Sequence, residues 1–325
     1  MIEITIGALA TAIAVLGVAL LVDVSLGEPP LQVHPTAWMG WLTARCCRVA
    51  LRCDPRTQRA YGAFLSLAII LIFACGAYLL IEAAARVFGE PIQIAIAAVL
   101  LKSTFSIRLM HRYAAQLASA VRRSDYTQAR AILRHIVRRD PEQLNDCQVI
   151  SAGVETIAES TADGITSPLF YFALFGIPGA FAYRAINTLD SMVGYKTPEF
   201  VNIGWFSARL DSIANWLPAR LTALLTVLSA VFISGSASDS WRILFRDRNR
   251  TESWNAGWLM SAMAGALKVK LEKPGSYTLG DPNQSLTEEH LTRAARAMLL
   301  NTVFFLFLVV IPVMMTVRMA GLQIG

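Results

Sequence analysis

The chain reads as an all-α polytopic membrane protein, and three observations carry that reading. Charged residues make up 16% of its 325 positions and hydrophobic ones 55%, whereas a soluble globular chain is ~25% charged. Mean hydropathy is +0.48, and the apolar residues are bunched in runs rather than spread at amphipathic spacing. No stretch alternates apolar and polar residues as a half-buried strand does, and no internal repeat is visible. A disordered chain, a nucleic-acid packaging protein and a disulfide scaffold are all excluded.

A hydrocarbon core of ~30 Å takes ~20 apolar helical residues. Four full spans are expected, at roughly 4–22, 62–81, 91–109 and 298–317, the third interrupted by Lys102. The first carries Glu3 and no basic residue in its flank, and no A-x-A-like site follows. It reads as an anchor, not a cleavable signal. Two further runs look broken. Residues 165–183 contain Pro168, Gly176, Pro178 and Gly179; residues 219–237 follow Pro218 and end in Ser234-Gly235-Ser236. Proline removes a helical hydrogen bond, and broken backbone survives at membrane depth only when buried or lining a wet cavity. Both runs are expected to be half-spanning or re-entrant, with six true spans as the alternative.

The net charge of +6 does not call for a nucleic-acid partner, because the basic residues cluster between the apolar runs as cytoplasmic loops require. Five lie from Arg45 to Arg59, seven from Arg112 to Arg139 and nine from Arg242 to Arg296, against Arg86 alone after the second span. Loop 45–59 is thereby cytoplasmic, while the middle of the chain fits either span count. The five cysteines form no CxxC pair and read as reduced thiols. No zinc-ligand spacing appears among them or the four histidines, and His34, in a Pro-rich loop, reads as structural.

One membrane-embedded domain over 1–325 is expected, with cytoplasmic helical segments at 23–61, 110–164 and 238–297. Asp140-Pro141-Glu142-Gln143 signals a helix start, with an Asp cap, Pro at the first helical position and Gln three residues after the cap. This helix is expected to run to about Gly164. Asp125 with Gln128 marks a weaker start, and Ser285 with Glu288 opens a helix that continues into the last span.

The chemistry-bearing residues fall in clusters. Glu155, Glu159 and Asp163 are spaced four and four. Each step advances a helix by ~400°, so the three acids drift only ~80° and share one face. Like charges there repel, near the helix end whose dipole disfavours anions. A cation must come from elsewhere: Mg²⁺, which takes one or two carboxylates plus phosphate oxygens, or distant arginines, unless the acids are simply solvated. Arg184, Asn187 and Asp190 fall three apart, with Lys196 following. Arg184 alone would be a snorkelling anchor, which leaves its amide and carboxylate neighbours unexplained. Arg209 and Arg220 bracket Asp211 and Asn215 around Pro218; an arginine there serves equally as a phosphate or carboxylate fork or as a positive-inside anchor. Asn255 and Gly257, in Asn255-Ala-Gly-Trp258, suit close approach of a ligand, and Pro274-Gly275 makes a turn. No Walker A, G-x-G-x-x-G or G-x-S-x-G motif occurs.

Several words of this sequence resemble one family. They are Glu155-Thr-Ile-Ala-Glu-Ser-Thr-Ala-Asp-Gly-Ile165, Pro168-Leu-Phe-Tyr171, Gly176-Ile-Pro-Gly-Ala180 and Tyr183-Arg-Ala-Ile-Asn-Thr-Leu-Asp-Ser-Met-Val-Gly-Tyr-Lys196. Ser207-Ala-Arg-Leu-Asp211, Asn215, Pro218-Ala-Arg-Leu-Thr222, Asn255-Ala-Gly257 and Leu271-Glu-Lys-Pro-Gly-x-Tyr277 belong with them, as do Asp23 to Pro30, His34-Pro35 and Met39-Gly40. The chain is similar to the membrane-bound CobD/CbiB proteins of cobalamin biosynthesis, the adenosylcobinamide-phosphate synthases. The resemblance covers essentially the whole chain and is densest from Glu155 to Thr222; 113–139 and the last span match only in character.

The resemblance implies ATP- and Mg²⁺-dependent amide formation between the corrinoid adenosylcobyric acid and an aminopropanol or its O-phosphate. A carboxylate must be activated before it condenses with an amine, and phosphoryl transfer needs cations against its oxygens. On that implication Glu159, Asp163 and Asp190 hold Mg²⁺, with Glu155 supporting them. Lys196, Arg209 and Arg220 contact phosphate or the propionate. Arg184, Asn187, Asp211, Asn215, Asn255 and Lys273 bind substrate. The site then faces the cytoplasm from an inner cell membrane, among membrane lipids, with association with a second copy or with other pathway enzymes left open. Two rivals predict otherwise: an Mg²⁺-dependent transferase of an alcohol phosphate or lipid diphosphate, with no ATP requirement, and a transporter using Lys102 and the broken runs as an ion path.

Overall fold

A computed structural model describes residues 2–137 and 139–320, with side chains from Gly7 onward. In chain order the helices are α1 (Ile2–Ser25), α2 (Pro35–Ala50), α3 (Pro55–Phe88), α4 (Glu90–Lys102), α5 (Ile107–Arg122), α6 (Tyr126–Leu133) and α7 (Asp146–Thr161). They continue as α8 (Ser167–Val193), α9 (Trp205–Ala214), α10 (Trp216–Ala230), α11 (Ala237–Asp247) and α12 (Ala256–Leu267). A small antiparallel hairpin of β1 (Leu271–Lys273) and β2 (Tyr277–Leu279) precedes α13 (Glu288–Phe305) and α14 (Ile311–Met319). The protein is therefore all-α apart from one hairpin, whose turn carries Pro274-Gly275 with Gly275 at φ 71°.

Among the described residues, six helical runs are long and apolar enough to cross a membrane: Gly7–Ser25, Pro55–Phe88, Glu90–Arg122, Asp146–Val193, Trp216–Ile233 and Glu288–Met319. Six, rather than four plus two re-entrant pieces, is what length and composition support. Pro218 does not break α10, because it is the third residue of that helix, where its missing N–H has no helical acceptor to lose. The run over 165–183 does bend. Phe175 (φ −130°, ψ 15°) and Gly176 (φ 66°, ψ −157°) leave helical geometry, just ahead of Pro178. Gly176 needs no Cβ to sit there, and helix resumes on the far side. Much of this run is buried, which shelters the freed backbone groups.

The start of α7 also differs from expectation. Asp140 caps only a single 3₁₀ turn, Pro141–Gln143, accepting from the Glu142 N–H at 3.1 Å. Leu144 is extended, its carbonyl taken by Arg130 at 2.7 Å, so the helix cannot continue through it. α7 begins instead behind a reciprocal capping pair, Asn145 with Gln148. Asp125 does cap α6, accepting from the Gln128 N–H at 2.9 Å. α13 opens at Glu288 behind Thr287, two residues beyond the expected Ser285, because His290 completes the cap with the Thr287 N–H.

The chain divides into two compact units: 1–106 with 167–214 and 308–325, and 107–166 with 215–307. In the first, α3 packs on α8 and α4, α1 on α4, and α2 on α8. Its buried polar centre is Lys102, 2% exposed, with Nζ 3.1 Å from Asp23 Oδ1 and 2.9 Å from Glu28 Oε1, donating also to the Phe105 carbonyl at 3.1 Å. His34 contacts Glu28 at 3.2 Å while its other ring nitrogen accepts from the Thr36 N–H, capping α2. Burial alone would raise the Glu28 pKa; His34, Lys102 and Ser106 outweigh it and hold the carboxyl low. Lys102 is thus a buried cation held between two carboxylates. In the second unit α12 lies against α10 and α11, while α13 packs on α5, α7 and α10. All five cysteines are free.

Candidate functional site

Sequence-predicted site residues occur in both units. Arg184, Asn187, Asp190, Lys196, Arg209 and Asp211 belong to the first; Glu155, Glu159, Asp163, Asn215, Arg220, Asn255 and Lys273 belong to the second.

In the first unit α8 and α9 do bring an amide and a carboxylate together: Asn187 Nδ2 donates to Asp211 Oδ1 at 3.3 Å. Arg184 Nε donates to Thr36 Oγ1 at 3.3 Å, which ties α8 to α2. Arg209 sits over the Trp205 ring at 5.9 Å, a cation–π contact on an exposed helix. Lys196 is exposed beyond the end of α8, and Asp190 is half-buried within it.

In the second unit the three acids of α7 part company. Glu155 is 5% exposed. It accepts from Ser151 Oγ at 2.6 Å and from Tyr277 Oη at 2.8 Å, and pairs with Arg139 at 3.1 Å. Its counter-cation is an arginine from the loop before α7, and the Leu271–Tyr277 motif is the strap that brings the phenol. Burial, then the charge and hydrogen bond of Glu155, push the Tyr277 pKa well up, so this phenol stays a donor. Gln148 and Ser151 also hold the hairpin, bonding the Glu272 carboxylate at 3.2 Å and its backbone N–H at 2.9 Å. Lys273, next in the hairpin, is exposed.

Glu159 is exposed and Asp163 half-buried. Between them the α-helix gives way to a π-turn over Ala162–Thr166, so the 3.6-residue period that aligned the acids fails at Asp163. Among the described residues, no group of three or more His, Cys, Asp or Glu is arranged to hold a metal ion.

A cationic platform is the most distinctive feature here. The Arg220 guanidinium lies 4.3 Å from the Trp216 ring centroid and 4.9 Å from that of Trp258, and Arg248 lies 4.9 Å from the same Trp258 ring and 4.7 Å from Phe245. Arg220 Nη1 also donates to the Trp216 carbonyl at 2.6 Å and to Asn255 Oδ1 at 3.1 Å. Neither guanidinium forms an ion pair among the described residues. Their neighbours differ: Arg242, Arg246 and Arg250 are all paired to Asp239, Asp247 or Asp281. Two unpaired positive charges around one indole make a site for an anion with oxygen acceptors, since planar guanidinium matches phosphate or carboxylate in two-point fashion.

Asn215 and Asn255 are both buried beside this platform's helices, at 1% and 6% exposure. Gly257 does not face a ligand. A Cβ there would overlap the Arg248 carbonyl, so the glycine lets the Arg248 turn close onto α12. Sequence reasoning passed over Arg248 because, among Arg242, Arg246 and Arg250, it looks like another loop anchor. Trp258 stood inside a quoted motif without a role. Tyr277 closed a family motif but had no role assigned, and Arg139 and Ser151 were not singled out, since their link to Glu155 depends on how the chain folds around a distant hairpin.

The fold defines a class: an α-helical, multi-pass membrane protein bearing buried, ion-paired polar clusters and a platform of two guanidinium groups about an indole. Residues 16–303 match the model of the CobD/CbiB protein family. This chain belongs to that family. It is 39% identical over 293 residues to the probable cobalamin biosynthesis protein CobD of Methanothermobacter thermautotrophicus, covering 90% of this chain and 95% of the relative. Against the cobalamin biosynthesis protein CobD of Dehalococcoides mccartyi it is 36% identical over 274 residues, covering 84% and 88%. Against that of Geobacter metallireducens it is 38% identical over 282 residues, again covering 84% and 88%. No solved structure matches the chain.

Proposed function

We propose that this protein works in cobalamin biosynthesis as an amide-forming ligase, joining adenosylcobyric acid to aminopropanol or its O-phosphate at the expense of ATP. The observation that carries the reading is the platform of Arg220 and Arg248 about Trp258, which suits the phosphate oxygens such a reaction brings together. A carboxylate and an amine do not condense unaided. Transfer of the γ-phosphoryl group of ATP to the carboxylate gives an acyl phosphate and ADP; the amine then displaces phosphate, forming the amide and releasing a proton. Both steps gather negative oxygens, and fixed guanidinium groups stabilise them where water would have to reorganise.

Glu159 and Asp163, though out of helical register with each other, are assigned to Mg²⁺, which ordinarily needs only one or two protein carboxylates beside phosphate oxygens and water. Bound there, Mg²⁺ would neutralise phosphate charge. Glu155 is already engaged by Arg139, Ser151 and Tyr277 and acts by positioning α7 against the hairpin. Arg184, Asn187, Asp190, Lys196, Arg209 and Asp211 are assigned to substrate recognition. Because ATP is cytoplasmic, the platform and the acidic pair belong on the cytoplasmic side of a cell membrane, in keeping with the basic loops.

The test is ATP turnover by detergent-purified protein with Mg²⁺, adenosylcobyric acid and aminopropanol phosphate, each omitted in turn. Arg220→Gln, Arg248→Gln, Glu159→Gln and Asp163→Asn run alongside. Turnover that needs every component, yields the amide and collapses in these variants supports the reading. Turnover indifferent to all four discards the site, and a lipid diphosphate accepted without ATP points to the transferase class instead.

A further inference from the structure

The first unit contains a crevice of about 390 Å³, bounded by α1, α3, α4, α8 and the last turn of α14, a volume in the range of ligand sites. Its walls are apolar, including Val15, Ile81, Ile94 and Phe172. Two charges face it. Arg318 is only 8% exposed, and among the described residues its one side-chain hydrogen bond is the long Nε contact to the Ala8 carbonyl at 3.4 Å. Glu90, at the first turn of α4, is exposed and accepts from Thr11 Oγ1 at 2.9 Å. Among the described residues neither charge is paired, with each other or with anything else. A buried guanidinium without a counter-ion is costly, and an anion on the crevice side removes the cost.

A membrane helix end offers one abundant class of molecule with an apolar body and a phosphate head. The carboxylate of Glu90 sharpens the choice. A second anion in the same crevice disfavours a purely anionic head and favours one that also carries a cation able to donate hydrogen bonds. We propose that this crevice binds a zwitterionic glycerophospholipid of the ethanolamine type, its phosphate on Arg318, its primary ammonium on Glu90 and an acyl chain along the apolar wall. No residue lining the crevice is assigned to the ligase reaction, so the proposal does not depend on that assignment.

The test uses the full chain in detergent, titrated in native mass spectrometry with phosphatidylethanolamine, phosphatidylglycerol and phosphatidylcholine of identical acyl chains. One phosphatidylethanolamine is expected to bind about tenfold more tightly than either of the others, the worth of one charge-assisted hydrogen bond. Glu90→Gln, a conservative change at an exposed position, should erase that preference, weakening phosphatidylethanolamine and, with the carboxylate's repulsion gone, tightening phosphatidylglycerol. Arg318→Gln should weaken all three lipids by about tenfold or more, with Arg318→Lys recovering part of the loss. Equal affinity for the three lipids in the wild type, or a preference that survives Glu90→Gln, overturns the proposal. So does displacement of the lipid by inorganic phosphate at comparable concentration, which would mark a small-anion site.

Discussion

Replacing Lys102 by Met tests the account of the first unit most sharply. Nζ touches two carboxylates, and Asp23 is 0% exposed while Lys102 itself is 2% exposed. Methionine fills nearly the same volume, so little packing is lost and the change isolates the charge. Taking one member out of a buried ion pair costs ~3–5 kcal/mol, because the remaining charge keeps its desolvation penalty without its partner. Unfolding entropy of ~2.1 cal/mol/K per residue over 325 residues converts that into a Tm lower by ~4–7 °C. The assay is thermal unfolding of purified protein in one detergent, for the wild type, Lys102→Met, Asp23→Asn and the double variant. The double variant should recover at least half of the loss, since it no longer buries an unpartnered anion at Asp23. If Lys102→Met unfolds within a degree of the wild type, or if the two losses simply add, the cluster is not an ion-paired centre and the reasoning fails.

Three further outcomes are expected. Glu28 is held below its ordinary value of 4.5, so its contribution is complete above that value and fades as pH falls through the lower folded-state value; Glu28→Gln should flatten the acid limb of a Tm-against-pH curve without moving the alkaline limb. Tyr277→Phe removes a 2.8 Å hydrogen bond to buried Glu155, which should cost ~1–3 kcal/mol in thermal unfolding and loosen hydrogen exchange in the 271–279 hairpin before the rest of the second unit. Gly257→Ala forces the Arg248 turn away from α12, at ~1–3 kcal/mol, and should weaken nucleotide binding measured by calorimetry more than Gly265→Ala, whose obstruction is the Asp239 backbone outside the platform.

The helical membrane class was legible in the residues because bilayer thickness is a one-dimensional constraint. A run of ~20 apolar residues satisfies it wherever the chain goes. Local caps were legible for the same reason: Asp125 and Gln128 meet within one turn. Where a local signal met a distant partner, the partner won. Asp140 invites a helix, but Arg130 from another helix takes the Leu144 carbonyl, and α7 starts only behind Asn145. Pro218 looked like a break until its place in the first turn of α10 was known. Among site residues, Arg220 and Asn255 do meet, but Arg248 and Trp258 needed the turn that Gly257 permits.

Composition and hydrophobic runs alone established what this chain is made of and which solvent it lives in, and short motifs established its kinship. Tertiary structure decided which charges are spent. Glu155 was expected to support a metal site and is an arginine's partner; Lys102 stood as an interruption in a span and is the centre of a buried cluster; Arg248 resembled an anchor and faces an indole with no ion-pair partner among the described residues. The reason is physical. The free energy of a charge depends on desolvation and on partners brought from tens or hundreds of residues away, and spacing along a chain holds no record of them.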